Sequence, residues 1–210
     1  MPVNNFELIR SLLDFRSEDD FYFLQILQRK KDHNNGKVNG TNNNSRLIKA
    51  YYIDSFEKFD FITPEVIEMC NLFGARANIN LNRRSYEKMA FHTLQKMSEQ
   101  LMHRDYKHIH TAFNTVCGKH HSETDKLWLF DFDAGDGQYE ELFMETMNKC
   151  APEGNKFYAK IPSRAGFHII TRPFNLLDFR HELKEKGVHW DAEGHFFRLH
   201  KNNPTNLYIP

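Results

Sequence analysis

Hydrophobic residues recur along the chain with two periods, near 3.6 and near 2, and the switches between them mark out the elements. In residues 5–15, Phe6, Ile9, Leu12 and Leu13 fall at helical intervals, which predicts a short amphipathic helix. Two aromatic and aliphatic runs follow, FYFLQILQRKK and RLIKAYYI, separated by a polar stretch over 32–45 that holds six Asn and two Gly. A hairpin fits that pattern, although Ser17 followed by Glu18, Asp19 and Asp20 also reads as a helix N-terminus, so a helix over 18–30 stays open. Thr63-Pro64-Glu65 supplies a cap, a first-turn proline and an early acid, and Gly74 a stop, predicting a helix over 64–73. RANINL (76–81) reads as a strand. A helix then starts at Ser85 with Met89, Leu94, Met97 and Leu101 as its buried stripe, and a second covers 106–116. LWLFDFD (127–133) is a continuous apolar run closed by acids, the look of a central strand. A helix over 139–149, strands at 157–161 and 167–171, a helix over 175–186 and one or two strands in 196–209 complete an α+β pattern without internal repeats.

Composition narrows the class. A length of 210 residues allows one domain or two small modules, and 40% hydrophobic residues with 19 Phe exclude global disorder. No apolar run approaches the roughly 18 to 20 residues of a membrane span, and MPVNNFELIR lacks the basic-then-apolar layout of a signal peptide, so a cytoplasmic location is expected. Lys+Arg and Asp+Glu are equal at 28 each, so any anion site must be local. Cys70, Cys117 and Cys150 form no paired motif and read as reduced, buried thiols. His103, His108, His110, Cys117, His120 and His121 invite a zinc site, but their spacing matches structural zinc poorly.

The chemistry concentrates in the second half. Asp131 and Asp133 stand two apart on a predicted strand, so both carboxylates project from one face near its C-terminal end. Like charges that close call for a cation, and Mg2+ or Mn2+ prefers a couple of carboxylates completed by waters and phosphates. The same acids could simply end a strand and enter the Ala134-Gly135-Asp136-Gly137 turn. Lys160 to His168 (KIPSRAGFH) reads as strand, tight turn and strand. It presents Ser163, Arg164 and His168 together, with Lys160 beside them, a set able to hold a triphosphate. Taken alone, His168 reads more readily as a packed strand histidine than as a ligand.

LWLFDFD followed by SRAGFHI resembles the first two motifs of the archaeo-eukaryotic primase superfamily, over about residues 125–195. The resemblance implies an RRM-like sheet as the catalytic core over 121–210, beside an N-terminal αβ module over 1–120, the two forming one composite domain. It further implies nucleotide joining on a DNA or RNA template with Mg2+ or Mn2+. Asp131 and Asp133 would be metal ligands, and Ser163 and His168 contacts to the phosphates of a nucleoside triphosphate, with His168 counted among the catalytic groups. The family's third motif supplies another metal carboxylate. Asp191, in Val188-His189-Trp190-Asp191, is the candidate, although its Gly-bearing neighbourhood also reads as a hairpin turn; a strand over 196–200 would offer Arg198 and His200 instead. Arg76, Arg83 and Arg84, at a strand-to-helix junction, are the candidate nucleic-acid contacts, joined by Arg29, Lys30, Arg46 and Lys49 and by Phe21, Tyr22, Phe23, Tyr51 and Tyr52 for stacking. Two alternatives remain: a non-catalytic, primase-like binding module of the kind a mobile element would carry, and a phosphatase of the haloacid-dehalogenase type, whose first motif LWLFDFDAG also resembles.

Overall fold

The computed structural model describes residues 2–32, 45–121, 126–190 and 197–210. Among them the chain forms six α-helices and two antiparallel sheets, of five and four strands, as the α+β pattern predicts. The chain divides into two compact units, Met1–Asp125 together with Asn206–Pro210, and Lys126–Thr205. No helix among the described residues is long and apolar enough to cross a membrane.

The first unit comprises β1 (Val3–Asn4), α1 (Phe6–Leu12), β2 (Asp20–Arg29), β3 (Ser45–Ile53), α2 (Phe56–Phe73), β4 (Arg76–Ser85), α3 (Tyr86–Met102) and α4 (Ala112–Lys119). β2 and β3 pair antiparallel from Tyr22↔Ile53 to Arg29↔Ser45, so residues 18–30 are strand and not helix. The Asn- and Gly-rich connection lies outside the described residues. β4 pairs with the other side of β2. The chain's last strand, Thr205–Ile209, lies between β1 and β4, with Val3 opposite Ile209. The tail that the sequence assigns to the second part therefore completes the first sheet.

Two helices depart from expectation. α2 begins eight residues before Pro64, because the Ser55 side chain accepts from the Lys58 N–H and caps the helix there. Pro64 sits inside it, where its missing N–H costs one backbone bond. Gly74 ends the helix as predicted, in the left-handed conformation at φ 55°. α3 starts at Ser85 as predicted, but Leu94 and Leu101 are 62% and 51% exposed. Its buried residues are Met89 and Gln100, eleven positions or about three turns apart, so the inward face is turned away from the expected stripe. That face meets Phe21 and Phe23 of β2 in a cluster with Val116 and Cys117 of α4. On the other side of the sheet Tyr51 reaches Met69 of α2, its hydroxyl 3.6 Å from the sulfur.

The second unit contains β5 (Trp128–Phe132), α5 (Glu140–Lys149), β6 (Phe157–Pro162), β7 (Phe167–Thr171), α6 (Leu176–Glu185) and β8 (Arg198–His200), with strand order β6-β7-β5-β8. Alternation along β5 sends Phe130 and Phe132 to one face and Leu129 and Asp131 to the other. The phenylalanine face packs on α5 and α6 through Phe143, Met147, Phe179 and Leu183, joined by Phe174, Trp190 and Phe197. Phe130 and Phe143 stand 4.7 Å apart between centroids, and the Trp190 indole N–H donates to the Phe197 carbonyl at 2.9 Å. One face is thus committed to an aromatic core, and the opposite face of the same strands carries the buried Leu129, Ala159, Ile161 and Ile170 together with Asp131 and His168.

Candidate functional site

Residues directly opposite in neighbouring antiparallel strands share a face, so register decides what surrounds Asp131. Its partners are His168 on β7 and Arg198 on β8, while His200 stands opposite Leu129 and Ile161 of β6 opposite His168. The Asp131 Oδ1 lies 3.3 Å from His168 Nε2. The other ring nitrogen, Nδ1, is 2.8 Å from the Thr205 hydroxyl. When the ring is neutral and gives Nε2–H to Asp131, the Thr205 O–H donates to Nδ1; when it is charged, both nitrogens donate. Both ends of a buried imidazole are therefore held, which fixes its plane.

Burial would raise the Asp131 pKa, but the hydrogen bond and charge of His168, with the charges of His200 and Arg198, overcome it and leave the carboxyl below its ordinary value. Asp131 is thus ionised at neutral pH. His200 shifts down, mainly through burial and against the attraction of Asp131. A carboxyl whose pKa falls on folding stabilises the native state above its unfolded pKa, and that stability is lost as pH drops through the folded value. Urea unfolding of the protein and of Asp131→Asn should therefore differ at pH 6 and converge below about pH 4. A gap that persists unchanged into acid would show that Asp131 is not held as an ion.

Asp133 lies one residue past β5, exposed in the turn, with its N–H donating to Asp136 Oδ2 at 3.2 Å. The 163–166 turn closes through the Ser163 N–H and the Gly166 carbonyl, 3.0 Å apart, with Arg164 exposed at its tip. Gly166 presses on the end of β5 so closely that a Cβ there would stand 1.9 Å from the Phe132 carbonyl oxygen and 3.1 Å from the Asp133 carbonyl carbon. The structure thus gathers Asp131 with His168, and seats the Ser163–Gly166 turn against the backbone that carries Asp133.

Other expected site residues are placed elsewhere. Lys160 points to the opposite face from Asp131, because Ile161, its neighbour, is the residue opposite His168; its ammonium pairs with Glu140 of α5 at 2.6 Å and covers the Phe167 ring. Arg76 is buried in an ion pair with Asp32. Arg83 bonds the Asp14 carbonyl at 2.8 Å and lies 3.3 Å from the Asp20 carboxylate. Arg84 is fully buried, donates to the Cys117 and Asn82 carbonyls at 2.6 Å each, and has its pKa lowered to about 10 by burial. Arg76 and Arg84 are buried and Arg83 is half-buried beside its acidic partners; Phe21, Tyr22, Phe23 and Tyr51 are buried in the first unit too. Asp191 lies outside the described residues. Thr205, Arg198 and His200 complete the surroundings of Asp131; the last two stand on the strand that the sequence offers as its alternative, whereas Thr205 has no local motif.

Among the described residues no three His, Cys, Asp or Glu side chains come together to hold a metal unaided. The expected zinc residues are dispersed: His108 bonds Asp105 at 2.6 Å, Cys117 is buried, and His120 stacks on His92. Asp131 and Asp133 still suit a hard divalent ion of the kind that takes one or two carboxylates and completes its shell with water and substrate phosphates. No family model, curated protein or solved structure matches the chain.

Proposed function

We propose that the chain is a primase- or polymerase-like nucleotidyltransferase, with the second unit as an RRM-like catalytic core and the first as its N-terminal αβ module. The observation that carries this reading is the 3.3 Å approach of Asp131 to His168 on the face of a βαββαβ sheet opposite its aromatic core, beside the glycine-seated turn that bears Ser163 and Arg164. The strand order β6-β7-β5-β8, with the two sequence motifs on adjacent central strands, supports the reading of an RRM-like core.

Asp131 and Asp133 would hold Mg2+ or Mn2+, which when bound neutralises developing charge on the transferred phosphoryl group. The chain's own part is positioning. Ser163 and Arg164, with the turn amides, suit the β- and γ-phosphates of a nucleoside triphosphate. His168, kept in one plane by Thr205, would orient the Asp131 carboxylate toward the ion through its Nε2. Such a site aligns and screens charge more than it performs covalent chemistry.

A second reading, a primase-like module that binds nucleotide or nucleic acid without turnover, is favoured by one observation: Arg198 and His200, not a third carboxylate, flank Asp131 on β8. Primer extension decides between them. The protein is incubated with primed DNA or RNA templates, ribo- or deoxyribonucleotides and Mn2+, with and without a chelator. Chelator-sensitive extension is expected. Nucleotide binding without extension would replace the first reading by the second, and neither binding nor extension would remove both.

A further inference from the structure

A cleft between α3 and α4, about 210 Å³ in volume, is lined by His92, Lys96, Glu99, Lys119 and His120 among others. His92 from α3 and His120, which caps α4, lie face to face, with ring centroids 4.1 Å apart and planes 14° apart. An imidazole's lone pair lies in its ring plane, so two parallel stacked rings cannot aim nitrogens at one metal ion, and no metal-holding group occurs among the described residues. Stacked rings also cannot both be cationic without an anion against them. Lys96 and Lys119 add two permanent positive charges, and the lining carboxylate, Glu99, is exposed and 3.7 Å from Lys96. The lining thus sets two lysines and two imidazoles against one carboxylate, in a chain whose formal charges balance to zero.

We propose that this cleft binds a phosphate group between the His92–His120 pair and the ammonium groups of Lys96 and Lys119. The phosphate comes either from a free phosphate ion or from a phosphodiester of a nucleic-acid backbone. The inference goes beyond the nucleotidyltransferase reading, since it uses none of the residues around Asp131 and concerns the first unit alone. The groups that face the ligand are His92, Lys96 and Glu99 from α3 and Lys119 and His120 from α4 and its cap, with His121 following. In their present state the charges oppose one another: burial, then His92, Lys119 and His121, holds the His120 pKa below its ordinary value. An anion reverses that balance, so binding draws a proton onto the histidine pair and strengthens as pH falls. A 210 Å³ space, against about 30 Å³ for each water of the liquid, admits a tetrahedral oxyanion with some of its hydration.

The test titrates the full chain with inorganic phosphate, and separately with a short single-stranded DNA lacking terminal phosphates, at about pH 6 and about pH 8 at one ionic strength. Calorimetry gives affinity, and imidazole NMR signals report on the two rings. Affinity should be about tenfold higher at the lower pH, with the His92 and His120 resonances moving on binding. The double variant Lys96→Met/Lys119→Met should weaken it by at least about tenfold while melting as the parent does, and Asp131→Ala should leave it unchanged. Saturation by phosphate identifies the free ion as a ligand; saturation by the oligonucleotide alone identifies the backbone. Either supports the site. Saturation by neither, or binding that ignores pH and leaves both histidine resonances in place, overturns it, and the wild-type arms decide this even if the double variant fails to fold.

Discussion

Asp131→Ala should reduce nucleotide incorporation on a primed template by on the order of a thousandfold, the scale seen when one preorganised electrostatic group is removed from a phosphoryl- or acyl-transfer site. The side chain is an anionic member of the face, ionised at neutral pH and in contact with His168. Its loss removes a carboxylate that would hold the proposed divalent ion and one of the two hydrogen bonds on the imidazole. Stability should change much less. The variant leaves His168 bonded to Thr205 and forfeits one polar contact, a cost of about 1 to 2 kcal/mol. Extension rates and urea melts measured on the same preparation separate the two effects. Undiminished extension would sink the metal assignment, whereas a melt shifted as far as the rate would make Asp131 a structural residue.

Gly166→Ala should be the most damaging single methyl group in the second unit. The added Cβ would arrive 1.9 Å from the Phe132 carbonyl oxygen, and the obstacle is backbone in the middle of a sheet, not a side chain that can swing aside. Either the 163–166 turn lifts away from β5 or β5 bends, at a cost of about 3 kcal/mol or more. Gly118, inside α4, is the natural control: a Cβ there meets nothing within 4 Å, so Gly118→Ala should be neutral or stabilise by up to about 1 kcal/mol through helix propensity. Chemical denaturation of both variants compares them directly, and equal stabilities would mean that the turn does not depend on close approach to β5. In Gly166→Ala molecules that still fold, Ser163 and Arg164 are displaced from Asp133, so extension should fall even where the melt is tolerable.

What could be read from the chain was the local order of the second unit. The closed apolar run at 127–133, the turn chemistry of Pro162 to Gly166 and the Asn175 cap, whose side chain accepts from the Leu177 and Asp178 N–H groups, are signals carried by neighbouring residues. α2 was legible only in part, because a proline at an interior position looks like one in a first turn, and the cap at Ser55 lacks that advertisement. α3 misled because its apolar residues outnumber its buried ones: Phe91, Leu94 and Leu101 face outward while Gln100 is enclosed. Thr205 could not be found at all. It stands 37 positions from His168, and the contact exists through sheet register, not through any spacing visible in the chain. Arg76 and Arg84 show the converse, since charge alone does not distinguish a surface cation from one enclosed with its partners.

The pairing of Val3 with Ile209 has a bearing on biosynthesis. Translation delivers residues 1–125 first, yet their sheet lacks an internal member until 205–209 emerge, so β4 waits with a bare edge throughout synthesis of the later unit. Lys126–Thr205 carries all four of its own strands and can close while the earlier unit is still incomplete. The sheet whose residues are made first is thus the one completed last. A nascent chain stalled short of residue 205 would expose β4 to any passing strand, which makes premature termination a route to aggregation.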